Sequence, residues 1–201
     1  SLLVPYVSTR AEAESAVSYT RYPPGGVRGV AGTTRATRFG RVKDYATRAE
    51  AESAVSYTRY PPAGVRGVAG TTRATRFGRI KDYATRAHEE TCLLGQVETQ
   101  AALDNIEAIC GIDGVDGVFI GPADLHASLG HTGEIANPEV KPLIDDAIRR
   151  IRNAGKAPGI LTPNEADARH WLECGALFVA VGADVGILAR GAEALAAKFK
   201  S

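Results

Sequence analysis

Residues 114–125 read GVDGVFIGPADL, and the apolar run inside that stretch decides the fold. From Gly117 to Gly121 the chain carries only apolar residues and glycine, closed by Pro122. A short unbroken apolar run bounded by turn residues suits a strand buried on both faces, the kind found in parallel sheets. An amphipathic edge strand would alternate with polar residues instead. Asp124 follows directly, so its carboxylate stands at the end of that strand.

Working outward, the same pattern recurs. Leu93 to Glu98, Ala157 to Leu161 and Ala176 to Gly182 read as further strands, and Leu2-Leu3-Val4, ended by Pro5, as a fifth. Helical spacing fills the gaps. Thr99 to Cys110 sets Leu103, Ile106 and Ile109 on one face and stops at Gly111. Pro138 to Ala154 aligns Val140, Ile144, Ala147, Ile148 and Ile151 before Gly155. Glu165 to Cys174 ends at Gly175, and Ile187 to Lys200 is an Ala/Leu-rich final helix. Alternating strands and helices imply an α/β fold with a parallel sheet. Polar or Gly residues at each strand end suit the active face of a (β/α) barrel, and five strands make a partial one, since closure takes eight.

A tandem duplication precedes this alternation. Thr9 to Ala46 recurs as Thr47 to Ala84, a period of 38 residues, differing only where Gly25 becomes Ala63 and Val42 becomes Ile80. Solenoids need three or more divergent units with capping ends, so two near-identical copies argue against one. The tripeptide Thr-Arg-Ala opens each copy and follows the second at Thr85, which suggests recombination between short identical stretches. Each copy reads as a helix, a loop and a second short helical stretch. Thr9 with Glu12, and Thr47 with Glu50, form capping-box pairs, and the Pro-Pro pairs at 23–24 and 61–62 stop the helices. The whole is expected to be a single incomplete barrel domain, residues 1–201, in which one copy is displaced as a surface excursion.

Composition narrows the function. Lys and Arg number 24 against 23 Asp and Glu, a net charge of +1 that gives no reason to expect nucleic acid or an anionic membrane as partner. No apolar run approaches the roughly 20 residues needed to span a bilayer. The three cysteines, Cys92, Cys110 and Cys174, are widely spaced and odd in number, and they are expected to be buried, inert thiols in a reducing, cytoplasmic setting. The chain starts at Ser1 and lacks methionine altogether, which reads as a fragment or a processed product.

The candidate chemistry lies at two strand ends. Strand alternation puts Gln96 and Glu98 on one face, and Asp124 follows the next strand. Paired carboxylates with no Lys or Arg close in sequence suit a hard divalent cation; Asp124 would alternatively cap a helical turn starting at Leu125.

Five strings carry a resemblance: RYPPxGxRG from Arg21 or Arg59, QVET at 96–99, GVDGVFIGPADL at 114–125, GKAPGI from Gly155 and ALFVAVGAD from Ala176. In this order, and with 26 residues from Glu98 to Asp124, they resemble the HpcH/HpaI aldolases. The resemblance implies a barrel of the phosphoenolpyruvate/pyruvate type whose Glu98 and Asp124 ligate Mg²⁺ or Mn²⁺. Gln96 would contact the substrate, and the backbone N–H groups of Ala123 and Asp124 would receive its carboxylate. It implies a class II aldolase, a carbon–carbon lyase that reversibly cleaves 4-hydroxy-2-keto acids to pyruvate and an aldehyde. The metal would be the Lewis acid, without a Schiff-base lysine. A homo-oligomer is expected by analogy.

The family's His base and enolate-stabilising Arg come from its first three strands, and the chain is read as starting at about the fourth. No catalytic residue is therefore identified. His88, His126, His131 and His170 do not sit where the family places its base; His126 and His131 read as exposed loop histidines. Arg28 and Arg66 are read as loop braces, and Gly95 as a loosening of the packing under Glu98. The chain alone is expected to be inactive; the rival readings are a non-catalytic barrel fragment needing a complementing amino-terminal half, and a citrate-lyase-like enzyme acting on CoA esters.

Overall fold

A computed structural model describes residues 46–134 and 136–200. Four strands form one parallel sheet in the order of the chain: β1 (Leu94–Val97), β2 (Gly117–Ile120), β3 (Ala157–Leu161) and β4 (Phe178–Ala180). All three pairings are parallel, so each strand is followed by a helical crossover. The expected fifth strand at Leu2 to Val4, and the first copy of the repeat except its last residue Ala46, lie outside the described residues.

The helices are α1 (Arg48–Thr58), α2 (Tyr83–Arg86), α3 (Gln100–Asp104), α4 (Ile106–Cys110), α5 (Pro122–Ser128), α6 (Lys141–Asn153), α7 (Glu165–Glu173) and α8 (Asp184–Ala197). One of them departs from the sequence reading. The helix expected over Thr99 to Cys110 is broken at Asn105, between α3 and α4. The Asn105 side-chain amide donates to the Ala101 carbonyl at 2.8 Å, the acceptor a continuous helix would have given to the Asn105 backbone N–H. That N–H turns to Ala102 instead, at 3.2 Å, and the helix kinks.

Alternation splits the sheet into two unlike faces. Val97, Ile120 and Ile160 fall in register on the outer face, each with no exposed surface, under Ile106 and Ile109 of α4 and Ile144, Ile148 and Ile151 of α6. At roughly 1.5–3 kcal/mol for each fully buried aliphatic side chain, this layer is the main source of stability. Left-handed glycines end the helices beneath it as expected, Gly155 at φ +77° and Gly175 at φ +106°. Gly111 follows α4 with right-handed φ −70°.

The opposite face is the one that would line the expected barrel, and it is the more exposed of the two. Gln96, Phe119, Gly159 and Phe178 form one row across it. The two rings sit 5.7 Å apart over Gly159, where a methyl group would lie 3.0 Å from a carbon of each.

The second copy of the repeat is part of this core. Its helix α1 opens with the expected capping box, the Thr47 N–H donating to Glu50 Oε2 at 3.1 Å and the Glu50 N–H to Thr47 Oγ1 at 3.3 Å. Ala51 and Val55 then pack into the buried cluster. Gly114, at φ +96°, lets the chain pass close: a methyl group there would come within 2.8 Å of Val55 and 2.7 Å of the Arg59 guanidinium. Arg59 also pairs with Asp113 at 2.8 Å. Arg66 braces the following loop, donating to the Tyr83 hydroxyl at 3.0 Å with its guanidinium over the Tyr60 ring.

Candidate active site at the carboxyl ends of the strands

Val97 is driven into the helix-covered core, so its neighbours Gln96 and Glu98 face the interior. Both are half-buried, and the Gln96 amide nitrogen donates to Glu98 Oε2. Gly121 comes alongside, its N–H donating to the Val97 carbonyl at 3.0 Å. A methyl group on Gly121 would lie 2.6 Å from Glu98 Oε2, 2.7 Å from Gln96 Nε2 and 3.1 Å from Glu98 Cβ. Its φ of −93° is open to any residue. Glycine is needed here for room, not for backbone freedom.

After Gly121 the chain turns into α5, with Pro122 at its first position and Asp124 in its first turn. The reading of Asp124 as the cap of a turn starting at Leu125 is corrected: the helix starts three residues earlier, with Gly121 at the cap position. The Leu125 N–H bonds to the Gly121 carbonyl at 2.9 Å. The N–H groups of Ala123 and Asp124 belong to that opening turn. The positive end of the helix also favours the Asp124 carboxylate where it stands. The strand ends thus pack Gln96 and Glu98 against the bare Gly121 backbone, and Asp124 follows three residues on, in the first turn of α5.

The other expectations fare unevenly. His126 is no exposed loop residue: it is buried in α5, its Nδ1–H donating to the Pro122 carbonyl at 2.6 Å, and its Nε2 has no partner among the described residues. Its position four residues after Pro122 puts it within reach of that carbonyl, a helical spacing the loop reading overlooked. His131 lies in a turn between Glu134 and Glu139, His88 is exposed, and His170 belongs to α7. The expectation of three buried thiols holds only for Cys110, whose pKa burial pushes up to about 11. Cys92 is exposed and Cys174 half-buried. Sequence reading also missed a cluster of Asp145, His170 and Cys174, whose ligand atoms lie within 4.8 Å of one another. The signal was there, as His170 and Cys174 are four residues apart on one helical face.

The profile of the HpcH/HpaI aldolase/citrate lyase family matches residues 44–191, a span that takes in both strand ends. The chain belongs to that family. Among curated relatives of this HpcH/HpaI protein, a 4-hydroxy-2-oxo-heptane-1,7-dioate aldolase of Klebsiella pneumoniae is 59% identical over 200 residues. A pyruvate aldolase of Rhizobium etli is 57% identical over 199. Each match takes in 99% of this chain but only 61% and 63% of the relative, so the chain spans less than two thirds of their length. A solved HpcH/HpaI aldolase/citrate lyase family structure from Burkholderia cenocepacia is 39% identical, with a TM-score of 0.72 over 77% of this chain and 62% of that one. The parallel β/α alternation is accordingly part of a (β/α) barrel.

Proposed function

We propose that the strand ends are the metal and 2-keto-acid site of a class II aldolase that cleaves 4-hydroxy-2-keto acids to pyruvate and an aldehyde. The observation that carries this reading is the close packing of the Glu98 carboxylate and the Gln96 amide against Gly121, whose lack of a side chain gives both the room they occupy at the strand ends. Oxygen donors alone, from Glu98 and Asp124, fit a hard cation, Mg²⁺ or Mn²⁺, and not a thiophilic one. When bound, such a cation supplies Lewis acidity toward the keto group. Gln96 holds the Glu98 carboxylate in place and contacts the substrate. The N–H groups of Ala123 and Asp124 receive the substrate carboxylate, and Pro122 at the first helical position fixes their direction.

None of the described histidines lies at a strand end, so we expect this chain alone to bind pyruvate without turning over an aldol. The same sheet face supports the second reading, a barrel fragment completed by further strands, because Leu94, Leu161 and Phe178 on it are 40–50% exposed. No helix among the described residues is long and apolar enough to cross a membrane. A cytoplasmic location and a homo-oligomeric state, as expected of the family, complete the proposal.

Thermodynamic coupling tests it on the chain as it stands. Mn²⁺ binding, followed by electron paramagnetic resonance, is expected to tighten in pyruvate and to disappear in Glu98→Gln and Asp124→Asn. Mn²⁺ affinity indifferent to pyruvate would overturn the proposal. Release of pyruvate from a 4-hydroxy-2-keto acid by the chain alone would show that another of its own groups moves the proton.

A further inference from the structure

We infer that Asp145, His170 and Cys174 form a second cation site, for zinc or another borderline divalent metal, joining α6 to α7 in the helical layer. His170 of α7 and Cys174, the residue that caps that helix, stand four positions apart on one side, and Asp145 reaches them from α6. His170 Nε2 lies 2.9 Å from Asp145 Oδ1, 3.0 Å from Asp145 Oδ2 and 3.6 Å from Cys174 Sγ.

The same ring nitrogen faces both the carboxylate and the sulfur, and that detail discriminates between chemistries. In a nucleophile relay the carboxylate and the thiol would meet opposite nitrogens, so that the imidazole could take a proton on one side while held on the other. Here the far nitrogen is not involved, and one nitrogen, one sulfur and a carboxylate oxygen lie within 4.8 Å of one another. Zinc bonds of about 2.0–2.3 Å at tetrahedral angles would separate nitrogen and sulfur by about 3.6 Å, and nitrogen and oxygen by about 3.3 Å. The first matches the structure, and the second asks for an opening of a few tenths of an ångström.

The surroundings suit a cation. Trp171, itself buried, donates its indole N–H to Asp145 Oδ1 at 3.1 Å, orienting the carboxylate and leaving Oδ2 for ligation. The His170 side chain is 37% exposed and that of Asp145 17%, which leaves water access to a fourth position. Burial, and then the Asp145 charge, hold the Cys174 thiol above its ordinary range; coordination to a cation would reverse that preference. The donor set also differs from that at the strand ends. Nitrogen, oxygen and sulfur together select Zn²⁺ or Co²⁺, whereas oxygen alone selects Mg²⁺ or Mn²⁺.

The test is a Co²⁺ titration of the 201-residue chain under reducing conditions, reading thiolate-to-cobalt charge-transfer absorption. We expect a band that saturates at one equivalent, is displaced by Zn²⁺, vanishes in Cys174→Ser and His170→Gln, and survives Glu98→Gln. A second measurement needs no variant: Zn²⁺ should slow alkylation of Cys174 at least tenfold in the wild-type chain, read peptide by peptide, while exposed Cys92 keeps its rate. Absence of the band in wild-type protein, its survival in Cys174→Ser, or alkylation of Cys174 unaffected by Zn²⁺ would each overturn the proposal and leave a hydrogen-bonded cluster that only ties α6 to α7.

Discussion

Ile160 and Leu161 are consecutive on β3 and inhabit different molecules, physically speaking. Ile160 has no exposed surface beneath α6, while Leu161 points to the barrel interior and is 40% exposed. The same division runs across the sheet. One face is a dry layer of branched aliphatics, and the other carries Gln96, Glu98, glycines and half-exposed rings. Stability is concentrated on the first face and the proposed chemistry on the second. A period of two is all that keeps them apart.

The contrast breaks most visibly at Ile160. Truncation to alanine removes three buried carbons from a packed layer and is expected to cost about 2–5 kcal/mol, read as a lower urea midpoint with unchanged slope. A loss below 1 kcal/mol would mean that the layer repacks freely and the division is weaker than drawn. On the other face the largest expected effect is on binding. Gly121→Ala would put a methyl group 2.6 Å from Glu98 Oε2 and so push the carboxylate aside. Mn²⁺ affinity should fall about 10–100-fold, the range seen when a supporting contact to a metal ligand is lost. Affinity equal to wild type would remove Gly121 from the site.

Much of this division was legible in the sequence, and its gaps have physical causes. The apolar strings at 117–121 and 157–161, and the helical spacing of Ile144, Ile148 and Ile151, report burial directly, so sheet and core were readable. The kink at Asn105 was not, because it depends on a side-chain amide outcompeting a backbone N–H for one carbonyl. Gln96 and Glu98 were legible from alternation alone. Gly121 was read as the last residue of a strand, whereas its part is to make room for residues 23 and 25 positions earlier, a contact that only pairing of β1 with β2 creates. Of the Asp145 cluster only the His170–Cys174 spacing was legible; the third member was hidden for the same reason, since it comes from another helix.

Leu161→Ala sharpens the comparison from the exposed side. With the side chain already 40% in water and no dense layer above it, the expected loss is under about 1 kcal/mol by the same urea measurement. The ratio between the effects at Ile160 and Leu161 then measures how far the two faces differ. Equal losses would show that the interior face is packed in solution, by further chain or by a second copy.

The smallest expected effect belongs to the charges on the covered side. Arg150 of α6 grips Glu107 of α4 through two hydrogen bonds of 2.5 and 2.6 Å, and this contact holds the Glu107 carboxyl below its ordinary value. The Glu107 side chain is 59% exposed, so solvent screens the pair and its worth is at most about 1 kcal/mol. A depressed carboxyl pKa adds stability above the unfolded value, near 4.5, and loses it as pH falls through the folded one. Arg150→Gln should therefore lower the urea midpoint slightly at neutral pH, and the gap from wild type should close in acid and in high salt. A gap that persists in acid would mean that Arg150 acts through the packing of its aliphatic stem, and that even the ion pair on this face is a hydrophobic contact in effect.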